Sequence, residues 1–295
     1  MQRNIVVGAR PWQEALQEFV EALRGSGYFE HQQQEEIEVT QALGRVTAAP
    51  VNAAISSPHY RAAAMDGIAV RAAATFAASE NQPLELQLDR EAVVVDTGDP
   101  LPESFDAVIM AEEIIVNNQS TVQIIKPAVP GQNVRPIGED IAAGEQLAPA
   151  NHVLTPYDLG GLLSAGVLQI PVYLRPRVTI LPTGTELVSP NPNPAPGEIL
   201  ESNGTLLAGL VSQWGAVGEI GPITPDDYSL LQERLGQALD KSDLVLINAG
   251  SSAGREDYTA RLVAERGQLL THGVAIKPGK PVVLPPPGSH TKPPT

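Results

Sequence analysis

The sequence predicts a multidomain protein of α/β plus β class. A discontinuous helical domain carries an inserted small β domain, and a mostly parallel α/β domain follows. Three observations predict this. From residue 172 onward, strand-length apolar runs alternate with helix-length amphipathic stretches, the pattern of an open sheet with covering helices. Between residues 50 and 137 the helical period disappears, and β-rich runs separated by Pro, Gly, Asn and Asp replace it. Helix signals stand on both sides of that block, as expected of one domain interrupted by another. The expected boundaries are 1–49 with 138–172 for the helical domain and 50–137 for the β insert. Residues 173–284 form the α/β domain and 285–295 a proline-rich tail.

Each element has its own signal. In WQEALQEFVEAL (12–23), Trp12, Leu16, Phe19, Val20 and Leu23 make a helical stripe, closed by Gly25 and Gly27. IEVTQALGRV (37–46) reads as a second short helical piece ending near Gly44. LELQLD, AVVVDTG, DAVIMAEEIIV and TVQIIKPAV read as strands of the insert, with an Ala-rich helical patch at 71–78. At 155–166, Thr155 suits an N-cap, Pro156 the first helical position and Gly166 the site just past the end. RVTILPTG (177–184), AVGEIG and LVLIN are strands. SNGTLLAGLVSQWG (202–215) is a helix capped by Ser202 or Asn203, with Leu206, Leu207, Leu210, Val211 and Trp214 inward. PDDYSLLQERLGQALD (225–240) is a helix whose Asp226 and Asp227 suit the dipole, and EDYTARLVAERG is the last helix.

Composition narrows the function. A net charge of −15 argues against nucleic acid as a partner, which needs a basic face. The 42% apolar content supports packed cores, and no run reaches the roughly 18 apolar residues of a membrane span. With no cysteine, thiol catalysis, disulfides and Cys-metal sites are excluded. His31, His59, His152, His272 and His290 show no metal-ligand spacing. No secretion signal is read at the N-terminus, so a cytoplasmic protein is the expectation.

The candidate chemistry gathers at two turns and a bend. LVLIN runs into Ala249-Gly250-Ser251-Ser252-Ala253-Gly254 ahead of a helix. Glycine amides and a helix N-terminus there would seat an oxyanion, and Glu256 and Asp257 could hold magnesium beside it. An ordinary strand–helix turn with capping carboxylates is the alternative. Thr183-Gly184-Thr185-Glu186 leaves another strand end and reads either as a nucleotide seat or as a helix start. The sheet pattern puts both turns on one rim. Lys277 and Lys280 flank Gly279 in KPGKP, local cations in an acidic chain, or else a rigid exposed turn. Asp66 in AMDGIAV, with Glu139 and Asp140 in RPIGED, either serve chemistry or satisfy turn donors.

SPHYRAAAMDGIAV, VDTGDPLPESFDAVIMAEE, VRPIGEDIAAGEQL, RPRVTILPTGTELV, GEILESNGTLLAGLV, AGSSAGREDYT and IKPGKP occur in one order along the chain. Together they resemble the molybdopterin molybdenumtransferases, the MoeA-type proteins that include the C-terminal domain of gephyrin. The resemblance implies an α/β domain of the molybdopterin-binding type, incomplete at its C-terminal end over 173–284, and a homodimer. It implies insertion of molybdate into adenylylated molybdopterin, with release of AMP and with Mg2+ assisting. It maps functional positions onto Asp66, Asp140, Asp257, Lys277 and Lys280. Ligand binding falls to Thr183, Gly184, Gly250, Ser251, Ser252 and Gly254, and metal binding to Glu186 and Asp257. Where the family commonly has an acid after its Thr-Gly, Thr185 stands here and Glu186 follows. A non-catalytic module that holds molybdopterin or molybdate is the alternative. A pyridine-nucleotide-cleaving relative is a third reading, opposed by AMDGIAV and GED.

Overall fold

A computed structural model describes residues 10–30, 32–249, 258–266, 270–276 and 282–285. Its α-helices are α1 (Trp12–Gly25), α2 (Pro156–Ser164), α3 (Asn203–Gln213), α4 (Tyr228–Leu239) and α5 (Tyr258–Arg266). The chain forms two compact units, one of residues 36–172 and one of residues 1–35 with 173–295. Helix α1, expected with residues 138–172, is grouped with the second of these.

The 36–172 unit is built around the strand Gly67–Val70, which pairs antiparallel with Ala92–Val95 on one side and Ala107–Met110 on the other. All four of its residues are buried. Ile68 and Val70 face a core with Leu86, Ile109, Val122 and Ile124. Ala69 faces a second core with Val95, Leu101, Phe105 and Val108. Gly67 has no room for a side chain: a Cβ there would lie 1.9 Å from the Ile109 carbonyl oxygen. The strands Leu84–Gln87, Thr121–Ile124 and Ile114–Val116 make a second antiparallel sheet. A third core joins Val39, Ala42, Leu154, Leu162, Ile170 and Val172, so distant stretches of the chain close on one another.

Helix α2 starts as its sequence dictates. The Thr155 hydroxyl accepts from the Asp158 amide, the Asp158 carboxylate accepts from the Thr155 amide, and Pro156 occupies the first turn. Such reciprocal capping satisfies two otherwise orphaned donors. Gly166 follows the helix at φ +75°.

Residues 37–46, expected as helix, begin instead in the strand Gln34–Glu38 and a short 3-10 turn Val39–Gln41. The strand pairs with Gln169–Tyr173, and its alternating burial follows the strand period rather than the helical one. The patch at 71–78 is a 3-10 turn, Ala72–Thr75.

The other unit holds a fully parallel three-stranded sheet. Arg177–Pro182 lies in the centre, flanked by Val217–Ile220 and Leu244–Asn248. Leu181, Leu231, Leu235, Ala238 and Leu262 form its core, drawing α4 and α5 together. Helix α4 begins at Tyr228, and Asp227 is its N-cap, with its carboxylate accepting from the Leu230 amide at 2.8 Å.

Helix α3 turns differently from expectation. Leu206 and Trp214 are exposed, while Gly204 and Val211 are buried. The reason is close packing: a Cβ on Gly218 would meet Ala208 at 3.0 Å, and one on Gly204 would meet Ile220 at 3.0 Å. A face of small residues lies on the neighbouring strand, so the bulky ones point elsewhere. The cap also differs: Ser202 makes no side-chain cap. Buried Glu201 accepts from the Gly204 amide at 2.6 Å instead.

Only part of the apolar stripe on α1 is covered. Ala15 is buried, whereas Trp12 and Leu16 are about half exposed at 46% and 50%. The helix is preceded by Arg10, which bridges in parallel to Val274 and accepts from the Ala275 amide through its carbonyl.

Candidate functional site

Two neighbouring strands of the parallel sheet end in the turns singled out from sequence. Pro182 and Asn248 are ladder partners, so Thr183 and Ala249 leave the sheet side by side. In an open α/β sheet this carboxyl edge is where ligands sit. Thr183 is buried; its amide donates to the Asn248 carbonyl at 2.9 Å. The Gly184 amide donates to the Thr224 carbonyl at 3.0 Å. These two N–H groups are therefore already engaged in holding the rim together.

The turn that follows is not a helix start. It passes through Thr185 and Glu186 into the short strand Leu187–Val188, which pairs in parallel with Ile199–Leu200. Gly184 has φ +150°, a conformation open to glycine and costly for other residues. A Cβ here would lie 2.9 Å from Oε1 of Glu186. The missing side chain thus makes room for a carboxylate folded back over the turn. Among the described residues, the amides of Thr185 and Glu186 make no hydrogen bond within the chain.

Gly250, Ser251, Ser252, Gly254, Asp257, Lys277 and Lys280 lie outside the described residues. Helix α5 is held to α4 by a cluster of polar groups. The Tyr228 hydroxyl donates to Glu265, Arg261 Nε donates to the same carboxylate at 3.0 Å, and the Arg261 guanidinium lies 4.6 Å from the Tyr228 ring centre. The Tyr228 hydroxyl, then Arg261, hold the Glu265 carboxyl below its ordinary pKa.

Asp66 and Asp140 belong to the 36–172 unit. Asp66 is exposed, and one oxygen, Oδ1, accepts both the hydroxyl and the amide of Thr97, each at 2.7 Å. The Thr97 hydroxyl, then its amide, hold the Asp66 carboxyl below the ordinary range. Asp140 is gripped by both oxygens at 2.6 Å by Nη2 of Arg135, whose Nε donates to Glu139 at 2.5 Å. The pairing of Ala62–Ala63 with Val134–Arg135 links the two stretches. Among the described residues, a guanidinium fork takes both the Glu139 and the Asp140 carboxylates.

Thr97, Arg135 and Glu201 were not singled out from sequence. Thr97 sits in VDTGDP and Arg135 in RPIGED, so the signal was a hydroxyl or a cation beside a glycine turn. Glu201 gave none, because capping by the residue before the expected N-cap is not a pattern in sequence.

Among the described residues no group of three or more His, Asp or Glu is gathered as for a metal ion. At the rim, Glu186 is a donor of the oxygen type that a hard cation takes. Magnesium commonly takes only one or two carboxylates alongside phosphate oxygens and water.

These features define a protein with a parallel α/β unit, whose sheet carries two turns at its carboxyl edge, and a β-rich unit with anchored carboxylates. Residues 10–166 match the family described as MoeA N-terminal region (domain I and II), and residues 179–292 match a probable molybdopterin binding domain. The chain belongs to the MoeA family. It is similar to a putative molybdopterin biosynthesis protein of Methanocaldococcus jannaschii, at 35% identity over 85% of this chain and 67% of the relative. It is also similar to a molybdopterin molybdenumtransferase of Nostoc sp., at 34% identity over 86% of this chain and 62% of that one. A molybdopterin biosynthesis MoeA protein from Pyrococcus horikoshii superposes with a TM-score of 0.77, at 29% identity, over 95% of this chain and 72% of its own. The chain spans about two thirds of the length of the curated relatives it matches. No helix among the described residues is long and apolar enough to cross a membrane.

Proposed function

We propose that this chain acts in molybdenum cofactor biosynthesis, inserting molybdate into adenylylated molybdopterin with release of AMP. The observation that carries the reading is the ladder pairing of Pro182 with Asn248, which brings the Thr183 and Ala249 turns together in a family with a molybdopterin-binding domain. One anionic ligand can then contact both turns.

The chemistry balances in water. One molybdate oxygen leaves as water when the two dithiolene sulfurs bind molybdenum, and hydrolysis of the pyrophosphate linkage consumes one. In this reading the chain's own residues bind and orient. The open amides of Thr185 and Glu186 join Gly250, Ser251, Ser252 and Gly254 in cradling phosphate, and Lys277 and Lys280 neutralise it. Glu186 and Asp257 would hold magnesium, which when bound screens the negative charge of the linkage. Asp66 and Asp140, each held by a neighbour, serve as positioned carboxylates. The same reading includes a homodimer and a cytoplasmic setting.

The test is AMP release from adenylylated molybdopterin in the presence of molybdate and magnesium. AMP formed together with protein-bound molybdenum supports insertion. Tight binding of molybdopterin with no AMP would support a carrier or scaffold instead.

A further inference from the structure

Thr185 stands at the rim, and its hydroxyl has a partner that the functional reading does not use. The central strand is extended beyond Pro182 by a parallel bridge between Thr183 and Thr224. The Thr224 amide donates to the Pro182 carbonyl at 2.9 Å, and the Gly184 amide donates back to Thr224 at 3.0 Å. In a parallel ladder the next donor after Thr224 is the Asp226 amide. The next link comes from a side chain: the Asp226 amide donates to Oγ1 of Thr185 at 3.1 Å. One residue further on, Asp227 caps α4. The hydroxyl therefore spans the gap between the turn that carries Glu186 and the entry to α4.

We infer that Thr185 is a positioning residue, whose hydroxyl ties the Asp226 turn to the Thr183–Glu186 turn and fixes the turn that presents Glu186. Both Thr185 and Asp226 are exposed, so the bond adds little to the core. Its effect is to hold two acid-bearing loops in one geometry at the sheet edge, and small misplacements at a reacting site are costly in rate. The functional part of this inference rests on the insertion reading above.

The test compares Thr185→Val, which removes the acceptor while keeping the shape, with Thr185→Ser, which retains it. Thr185→Val is expected to lower kcat for AMP release about tenfold, with KM for adenylylated molybdopterin within about twofold, the scale of one lost hydrogen bond. Thr185→Ser is expected to restore kcat, and the thermal midpoints of both variants are expected to match wild type. Amide hydrogen exchange at Asp226 reads the tie without turnover. Faster exchange in Thr185→Val, recovered in Thr185→Ser, upholds the tie even where the wild-type chain releases no AMP, and the insertion reading then falls alone. Unchanged exchange at Asp226, or an activity loss that serine does not rescue, overturns the inference.

Discussion

Pro182 and Asn248 stand opposite each other at the carboxyl ends of neighbouring parallel strands. The Asn248 carbonyl accepts from the Thr183 amide one residue further along. This fixes where two chemically distinct turns begin, and it does so with backbone alone.

Two glycine substitutions are expected to act in opposite directions. Gly67→Ala sets a Cβ against the Ile109 carbonyl, and strands buried on both faces have nowhere to move. A loss of about 4 kcal/mol or failure to fold is expected, in line with severe overpacking. Gly160→Ala, in an exposed helical position with nothing within 4 Å of the new Cβ, is expected to stabilise by about 0.5–1 kcal/mol. Urea unfolding of the two variants checks both signs.

Asp66 gives a pH signature. Its carboxyl is held low by the Thr97 hydroxyl and then the Thr97 amide. A folded value below the unfolded value of about 3.9 stabilises the native state above that pH. The contribution fades as pH falls through the lowered folded value. Thr97→Val removes the first donor and keeps the second. The Asp66 titration, followed by carboxyl NMR, is expected to move up towards the ordinary range, and the Asp66 share of acid destabilisation is expected to shrink. An unmoved titration would show that the hydroxyl does not control this carboxylate.

The cap on α2 makes a third prediction. For Asp158, burial pushes the carboxyl up, but the Thr155 hydroxyl and amide, with His152, outweigh it and leave it lowered. Stability from this group is present above the unfolded pKa and is lost as pH falls through the folded one. Thr155→Ala is expected to cost about 1 kcal/mol at neutral pH, with a smaller difference from wild type below the folded pKa. Parallel urea titrations at neutral and acidic pH measure this.

Lys277→Ala and Lys280→Ala are expected to weaken binding of adenylylated molybdopterin about tenfold each, with a stability change under about 1 kcal/mol. Calorimetry and thermal unfolding together separate the two effects. Unchanged affinity in both variants would remove KPGKP from the binding surface.

Much of the fold was legible in the sequence because strong local signals agree with tertiary packing. Thr155-Pro156 opened α2, and RVTILP and LVLIN, bounded by turn residues, became adjacent parallel strands. The departures from local signals have a common physical source. At 37–46, pairing with Gln169–Tyr173, more than 120 residues away, decided the conformation, and no local period encodes that. On α3, a close approach through Gly204, Ala208 and Gly218 chose the buried face, so small residues outranked Leu206 and Trp214. At the site, the Thr-Gly turn could be read because glycine marks unusual backbone. The partners Thr97 and Arg135 could not, because which carboxylate each holds is fixed only by folding. TGTE itself leads into a strand, although its hydroxyls and acid resemble a helix cap.

The most direct measurement of the central claim is backbone hydrogen–deuterium exchange of the wild-type chain with and without adenylylated molybdopterin. Ligand-dependent protection is expected at Thr183–Glu186 together with residues 249–257. Protection confined to segments away from both turns, with these two unchanged, would contradict it.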